Sequence, residues 1–300
     1  MAQLTIITPT YNRADCLREC WKSLCAQTRQ GFQWLIVDDG STDHTADVVR
    51  ELREKTSSFQ LDYIQKPNGG KHTALNAAHP YIQGDYVVVL DSDDTLTPDA
   101  AERILGEWEA FAGNPEVGRI IFLKGFTTEE PVCRVAHPGL PVDTLKEPRI
   151  GTAGRDCCDT FRAELFRKYR FPEFAGEKFI GEGAAFFPME LETKGVYFNE
   201  VIYLCAYRED GLTRAGRAMR IRNPRGGMYN SKTYMHPRLP WKTRIKKGIL
   251  YSCYARFAGV SFSESLRDNP YKVLTLITWF PGRALAAYWR RKHADGKESL

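Results

Sequence analysis

Apolar segments that alternate with helical patterns are the feature that most restricts how this 300-residue chain can fold. Four such segments occupy residues 4–10, 32–39, 61–65 and 85–91, and a stretch with helical spacing follows each of them. Strands that are apolar throughout and separated by helices are typical of a parallel sheet covered on both faces. The predicted fold class is therefore α/β, with a mainly parallel, Rossmann-like sheet and helices on both faces.

Each predicted strand ends in a polar turn. The four turns read TPTYN (8–12), DDGS (38–41), NGGK (68–71) and DSDD (91–94). Any one of them has an ordinary interpretation as a turn or a helix cap. Because ligands of open α/β sheets bind beyond the carboxyl ends of the strands, the four turns together predict a binding site at that edge.

The last of these turns carries three carboxylates in four positions, at Asp91, Asp93 and Asp94. Such charges repel one another unless a cation neutralises them or some of them stay protonated. Oxygen-only ligands favour Mg²⁺ or Mn²⁺, which usually share their coordination with substrate phosphates. The turn therefore predicts a divalent ion and a phosphate-bearing substrate. Asp94 has two open roles, either supporting the metal or capping the helix predicted to start near Pro98.

The NGGK turn suits the same substrate. Gly69 and Gly70 allow close approach of the backbone, and Lys71 adds positive charge at the start of a helix, where anions bind favourably. The alternative for Lys71 is a solvated surface lysine.

Taken in order, TIITPTYNR, LIVDDGSTD, NGGKHTALN and VVVLDSDD resemble the family-2 glycosyltransferases, over roughly residues 4–210. Members of that family are inverting enzymes whose A-type fold binds a nucleotide-sugar through an Asp-x-Asp metal motif. The resemblance implies a nucleotide-sugar donor, Mn²⁺ or Mg²⁺ as cofactor, and a glycan or lipid-linked acceptor. Uridine is the expected base, because a carboxylate at Asp39 suits an imide N–H.

The resemblance also implies roles for individual residues. Asp39 reads the uracil-like edge, Asp91 faces the ribose and the metal, and Asp93 binds the metal. Asp210, in the EDGLT stretch, is a further metal candidate, although Asp-Gly is also a strong turn signal. The full set of implied donor-binding residues is Pro9, Thr10, Tyr11, Arg13, Asp39, Gly70, Lys71, Asp91 and Ser92.

An inverting transfer also needs one carboxylate as general base, placed opposite the leaving group. Many relatives supply it from a Glu-Asp pair that opens a helix, and residues 171–187 contain no such pair. A subgroup of the family is similar to this chain in having GEKF, then a lone Glu, and later EDGLT. By that resemblance the predicted base is Glu182, with Glu177 as the alternative; a glutamate that only stabilises a helix start is the other interpretation of Glu182.

Charge divides the chain into two parts. Residues 214–300 contain 19 Lys and Arg against 4 Asp and Glu, a net charge of +15, whereas residues 1–213 have a net charge of −10. The predicted domains are a nucleotide-sugar-binding catalytic domain at 1–213 and a basic helical region at 214–300. Within the latter, residues 270–292 combine apolar and aromatic residues with flanking cations, which suits a membrane interface. The segment is too interrupted to span a bilayer, and a helix packed on the catalytic domain is the alternative.

Other sequence features indicate the cellular location, the redox state of the cysteines and the class of partner. The N-terminal residues lack the pattern of a signal peptide, so we expect a cytoplasmic protein, peripheral at the inner face of the plasma membrane. The eight cysteines show no zinc-site spacing and are expected to be reduced. No nucleic-acid-binding motif accompanies the basic charge, and we expect no nucleic acid partner.

The predicted function is metal-dependent inverting transfer of a sugar, as in a hexosyltransferase, from a UDP-sugar to a glycan or glycolipid in surface polysaccharide synthesis. One alternative is a sugar-phosphate nucleotidyltransferase, which would carry a glycine-rich, arginine-containing signature where this chain has TPTYNR. The other is an inactive relative that serves as a lipid- or partner-binding scaffold. Intact Asp91 and Asp93 weigh against that scaffold, and the missing Glu-Asp pair weighs slightly for it.

Overall fold

The computed structural model describes residues 3–135, 137–143, 145, 149–150, 157–205 and 212–294. Its strands are β1 (Leu4–Thr10), β2 (Gln33–Asp38), β3 (Gln60–Gln65), β4 (Tyr86–Val89), β5 (Thr95–Leu96), β6 (Val117–Gly125), β7 (Arg134–Val135), β8 (Pro141–Val142), β9 (Arg149–Ile150), β10 (Cys157–Arg162) and β11 (Lys194–Leu204). Its α-helices are α1 (Ala14–Cys25), α2 (Thr45–Lys55), α3 (Lys71–Ala78), α4 (Ala100–Ala110), α5 (Ala163–Lys168), α6 (Gly183–Glu192), α7 (Leu212–Arg222), α8 (Pro224–Thr233), α9 (Trp241–Phe257), α10 (Phe262–Asp268) and α11 (Lys272–Ala294).

The chain divides into two compact units. The first contains Met1–Arg170 and Met189–Tyr207, and the second contains Phe171–Pro188 and Arg208–Leu300. This division differs from the predicted domains 1–213 and 214–300, because residues 171–188 group with the C-terminal helices rather than with the sheet. As a division of function, the two predicted domains stay a prediction.

The first unit is built on a sheet with the strand order β3-β2-β1-β4-β10-β6-β11-β5, to which β8 adds by pairing with β11. Strands β1 to β4 are parallel, and the predicted α/β fold class is confirmed. The sheet as a whole is mixed, since β10 lies antiparallel between β4 and β6. The sequence of β10, CCDTFR, lacks the apolar run by which the other strands are recognised.

The register of the parallel strands brings their polar turns to one edge. Thr10 at the end of β1 lies opposite Asp38 at the end of β2, which lies opposite Gln65 at the end of β3. On the other side of β1, Ile7 pairs with Val89, the last residue of β4. The turn that contains Asp91 therefore leaves the sheet at the same edge as the other three.

Both faces of this sheet are buried. Alternate residues such as Leu4 and Ile6 of β1 belong to one apolar cluster with α1, α2 and α4. Ile7 and Leu35 point the other way along their strands and are also fully buried, and α3 packs on β1 and β2. This covering on both sides explains why the strands read as continuously apolar.

The C-terminal helices of the second unit have a core of their own. It contains Met235, Tyr251, Leu274, Trp279 and Trp289, among others. Helices α9 and α11 pack closely through glycines: a Cβ on Gly282 would lie 2.6 Å from the carbonyl oxygen of Ile249. No helix within residues 3–135, 157–205 and 212–294 is long and apolar enough to cross a membrane.

Candidate active site

The turn after β1 is held against the turn after β2. Asn12 adopts a left-handed conformation, with φ 51°, and its Oδ1 accepts a hydrogen bond from the backbone N–H of Thr42 at 2.8 Å. The N–H of Asn12 donates to Ser41 Oγ at 2.8 Å. Asparagine tolerates this conformation better than most residues. These bonds fix the position of the TPTYN turn.

The predicted donor residues of this turn differ in exposure. Pro9 and Thr10 are buried, Arg13 is half-buried at the N-cap of α1, and Tyr11 is 47% exposed. Thr10 Oγ1 has no hydrogen-bond partner in the described structure although it is buried. Unsatisfied buried polar atoms are rare in native proteins, so this hydroxyl supports a binding role for the turn.

Asp39 is the hub of the next two turns. Its carboxylate is buried, with 5% of the side chain exposed, and forms an ion pair with Lys66 Nζ at 2.7 Å. It also accepts hydrogen bonds from the backbone N–H groups of Gly69, at 2.9 Å, and Gly70, at 2.6 Å. Asn68 Nδ2 donates to the same carboxylate at 3.1 Å. The acid predicted to read uracil therefore already anchors the NGGK turn, and its base-reading role stays a prediction.

Glycine is required at two positions in the turns that Asp39 connects. Gly40 and Gly70 have φ values of 79° and 94°, which side chains rarely adopt. A Cβ on Gly40 would also lie 2.8 Å from the backbone nitrogen of Asn68. The two glycines thus allow the turns after β2 and β3 to pack against each other.

Lys71, the first residue of α3, forms an ion pair with Asp91, with Nζ 2.6 Å from Oδ1. The two side chains are 25% and 30% exposed. Burial opposes ionisation of Asp91, but the charges of Lys71 and Lys124 outweigh it and hold the pKa of Asp91 below its usual value. Lys71 thus lies beside Asp91, and its role in donor binding stays a prediction.

Asp93 lies two residues further along the same turn and is half-buried. Its carboxylate has no hydrogen bond or ion pair with any residue that the structure describes. Ser92, between the two acids, is buried. In this turn the Asp91 carboxylate is thus paired with Lys71, whereas the Asp93 carboxylate has no partner among the described residues.

Asp94 has a structural role that neither of its two predicted roles describes. Its Oδ2 accepts a 2.8 Å hydrogen bond from the hydroxyl of Tyr203, and this hydroxyl accepts a 3.0 Å bond from the backbone N–H of Asp91. The next helix, α4, begins at Ala100 with Asp99 as its N-cap. Asp94 is therefore not the N-cap of α4, and Pro98 precedes α4 rather than starting it.

The donor set fits a divalent ion only in part. No group of three or more His, Cys, Asp or Glu side chains suited to a metal occurs among the described residues. Asp91 and Asp93 supply two carboxylates, which suits Mg²⁺ or Mn²⁺ that takes its remaining ligands from a diphosphate and water. The chemistry of this turn fits a shared ion and does not fit a cage made of protein alone. Asp210, the third predicted ligand, lies outside the described residues.

The two candidates for the general base lie in the second unit and differ in their bonding. Glu177 is committed, because its carboxylate accepts from the backbone N–H groups of Arg225 and Gly226, each at 2.8 Å, at the start of α8. Glu182 lies directly before α6, its carbonyl accepts from the N–H of Phe186, and the residue is exposed. Glu177 is thus a helix anchor, and the role of Glu182 as base stays a prediction.

Three supporting residues were missed at the sequence level: Lys66, Lys124 and Tyr203. Lys124 Nζ lies 4.2 Å from the centre of the Tyr203 ring. Lys66 follows β3 by one residue, so the rule that located the other turns could have found it. Tyr203 sits in an apolar strand, and nothing in the pattern of β11 marks its hydroxyl as functional.

Comparison with known proteins gives a consistent family. The chain matches the model "Glycosyl transferase family 2" over residues 5–169, more than half of its length. The minor teichoic acid biosynthesis protein GgaB of Bacillus subtilis is 27% identical over 226 residues, which is 73% of this chain and 24% of that protein. The chain spans only 11 to 24% of the first curated relatives it matches.

Solved structures agree at the level of the fold. The S. aureus TarS 1-349 complex with UDP-GlcNAc superposes with a TM-score of 0.58 at 19% identity, covering 94% of this chain and 79% of that one. The mannosyltransferase PcManGT from Pyrobaculum calidifontis, in complex with GDP-Man and Mn²⁺, gives 0.56 at 18% identity, covering 95% and 83%. With the family match and the carboxylate turn at the sheet edge, these findings identify the chain as a member of glycosyl transferase family 2.

Proposed function

We propose that the chain is a metal-dependent inverting glycosyltransferase that transfers a sugar from a UDP-sugar to a glycan or lipid-linked acceptor in surface polysaccharide synthesis. The observation that carries this proposal is the uncommitted Asp93 beside the Lys71–Asp91 ion pair, at the carboxyl edge of the parallel strands. The two carboxylates could bind a metal ion, and Lys71 beside them could bind the diphosphate.

The relatives support the choice of substrates. TarS was solved with UDP-GlcNAc, and PcManGT with GDP-Man and Mn²⁺. These two complexes support a nucleotide-sugar donor and a divalent ion for this chain. The name of GgaB refers to teichoic acid biosynthesis. A polymer or lipid-linked acceptor at the cell surface is the corresponding proposal for this chain.

In the proposed mechanism Asp91 and Asp93 would hold the ion, which would supply positive charge to the diphosphate leaving group. Lys71 Nζ carries three donor hydrogens, so it can stay paired with Asp91 and still bind a phosphate oxygen. Asp39 keeps the N–H groups of Gly69 and Gly70 turned inward and so fixes the start of α3. These residues bind and orient the donor.

Glu182 is the proposed general base. It accepts the proton of the acceptor hydroxyl while that oxygen bonds to the anomeric carbon and the nucleoside diphosphate leaves from the opposite face. Its exposure and the commitment of Glu177 to α8 support this assignment.

The metal assignment is tested with Asp93→Ala. We expect the variant to lose Mn²⁺-dependent binding of UDP, measured by titration calorimetry, because the diphosphate loses its countercharge. Asp47→Ala is the matched control, since Asp47 is an exposed acid on α2 that pairs with Arg50 three residues away. Equal UDP affinity of the unsubstituted protein with and without Mn²⁺ would overturn the assignment.

The base is tested with Glu182→Gln. Donor binding should survive, while transfer falls by about 10²-fold, the usual scale for loss of a general base. Glu177→Gln is the comparison: it should lower thermal stability, because it weakens the anchor of α8. Wild-type transfer by the Glu182 variant would place the base elsewhere.

The proposed location is the cytoplasm, with peripheral contact to the inner face of the plasma membrane through residues 270–292. The net charge of +15 over residues 214–300 supports it, because anionic lipids attract such a region.

A further inference from the structure

Helix α11 presents an apolar stripe to solvent. Val273 is 71% exposed, Leu276 56%, Ile277 49% and Phe280 80%. Soluble proteins seldom leave four large apolar side chains exposed next to one another, and such patches mark interaction surfaces. We define these four residues as the α11 stripe.

The stripe occupies one face of the helix. Its other members lie three, four and seven residues after Val273, which is the spacing of a single helical face. Further along that face come the exposed Ala284 and Tyr288 and then the cation Arg291. The apolar surface therefore runs along the helix and ends in positive charge.

The opposite face of α11 packs on the core of the second unit, so the stripe faces solvent. Leu274, Trp279 and Trp289, on the opposite side of α11, are buried in the apolar cluster of the second unit. On the same side of α11, Gly282 packs closely against α9. The helix is already amphipathic and held in place, so no refolding is needed to present the stripe.

Cations lie before and after the stripe along α11. Lys272 precedes it, and Arg290 and Arg291 follow near the end of α11; all three are exposed. The whole region 214–300 carries +15. An apolar stripe bounded by cations matches a helix that lies in the plane of an anionic bilayer, with its apolar side chains among the acyl chains and its cations among the headgroups.

We propose that the α11 stripe is the membrane-contact surface of this protein and that its occupant is an anionic lipid bilayer. This inference refines the proposed peripheral location and does not depend on catalysis. A second copy of the chain fits the surface less well, because a symmetric contact would bring two basic surfaces together. A spanning arrangement is disfavoured, since α11 lacks the apolar length to cross.

The test is co-sedimentation with vesicles of phosphatidylglycerol and phosphatidylcholine, compared with phosphatidylcholine alone. We expect the full chain to bind the anionic vesicles and to be released by salt. Phe280→Glu and Ile277→Glu should each reduce this binding by about ten-fold, since a charge replaces an inserted apolar group. Tyr81→Glu, at a 50% exposed aromatic of the first unit, is the matched control and should bind normally.

Two further readouts separate the outcomes. Thermal melting and UDP affinity should be unchanged in Phe280→Glu, so loss of vesicle binding with normal UDP binding supports the stripe alone. Equal vesicle binding by both stripe variants and the control would overturn the proposal. A dimer that Phe280→Glu dissociates in sedimentation velocity, without vesicle binding, would assign the stripe to a second copy instead.

Discussion

The hydroxyl of Tyr203 donates a hydrogen bond to Asp94 Oδ2 at 2.8 Å, while its oxygen accepts one from the backbone N–H of Asp91 at 3.0 Å. Burial, together with the charges of Asp91 and Asp94, raises the pKa of Tyr203 well above its usual value, so the phenol stays protonated and keeps donating. One buried side chain of β11 therefore forms hydrogen bonds with both ends of the DSDD turn.

Removing the Tyr203 hydroxyl should destabilise the DSDD turn, although all of its carboxylates remain. We expect Tyr203→Phe to lose about 1–3 kcal/mol of folding free energy, because the buried carboxylate of Asp94 and the N–H of Asp91 each lose this hydrogen bond. Mn²⁺-dependent UDP affinity should fall as well. Urea denaturation and calorimetry measure the two effects.

The matched control is Tyr86→Phe, on β4 of the same sheet. Tyr86 stacks on Trp108 with ring centres 4.5 Å apart, and no hydrogen bond of its hydroxyl occurs among the described residues. If the two variants bind UDP equally well and the protein remains folded, Tyr203 does not position the turn.

Asp39→Asn should disturb the NGGK turn more than the fold around it. The amide cannot match the donors of Lys66, Gly69 and Gly70 that meet the carboxylate. We expect a loss of a few kcal/mol in folding free energy and faster amide exchange at Gly69 and Gly70. Asp47→Asn, an exposed acid, should change neither quantity, and unchanged exchange in the Asp39 variant would contradict its role as anchor.

The Lys71–Asp91 ion pair predicts a pH dependence of stability. Because the folded-state pKa of Asp91 is lowered, the stability contributed by the pair is present above the pKa of an unfolded aspartate, about 3.9, and is lost as pH falls through the lower, folded value. Lys71→Met should remove this contribution, about 1 kcal/mol for a partly exposed pair. Urea denaturation between about pH 3 and pH 7 measures the difference.

The control for that experiment is Lys22→Met, which removes an exposed surface pair with Glu19. Its stability profile should follow that of the unsubstituted protein. Parallel profiles for the Lys71 variant and the unsubstituted protein would show that Asp91 gains no net stabilisation from Lys71.

Cys133 and Cys157 are expected to form a disulfide under oxidation. Both thiols are buried, and their sulfur atoms lie 3.4 Å apart, so a shift of about 1.4 Å reaches the bonded distance. Oxidised glutathione would accept the two electrons and two protons as the thiols join. Peptide mapping should find this link, while Cys158, next in β10 but in the other apolar cluster, stays reduced. A Cys157–Cys158 or intermolecular link would contradict the expectation.

The sequence alone predicts the parallel half of the sheet well. The pattern of apolar runs, polar turns and helices locates β1 to β4 and brings Lys71, Asp91 and Asp93 to one edge, because strand direction and turn position are both local properties. It does not predict β10, whose antiparallel pairing depends on distant partners. It also gives no role for Tyr203, since a buried tyrosine in an apolar strand looks like any other core residue.

The anchoring of two turns by Asp39 has a consequence for nucleotide selection. Its carboxylate is already the acceptor for the backbone of Gly69 and Gly70 and for Lys66. A nucleobase N–H that bonds to Asp39 must share the carboxylate with these donors or displace one of them. Base recognition at this position would then be an exchange reaction between protein and ligand donors, and its affinity would report how easily the turn gives up a bond.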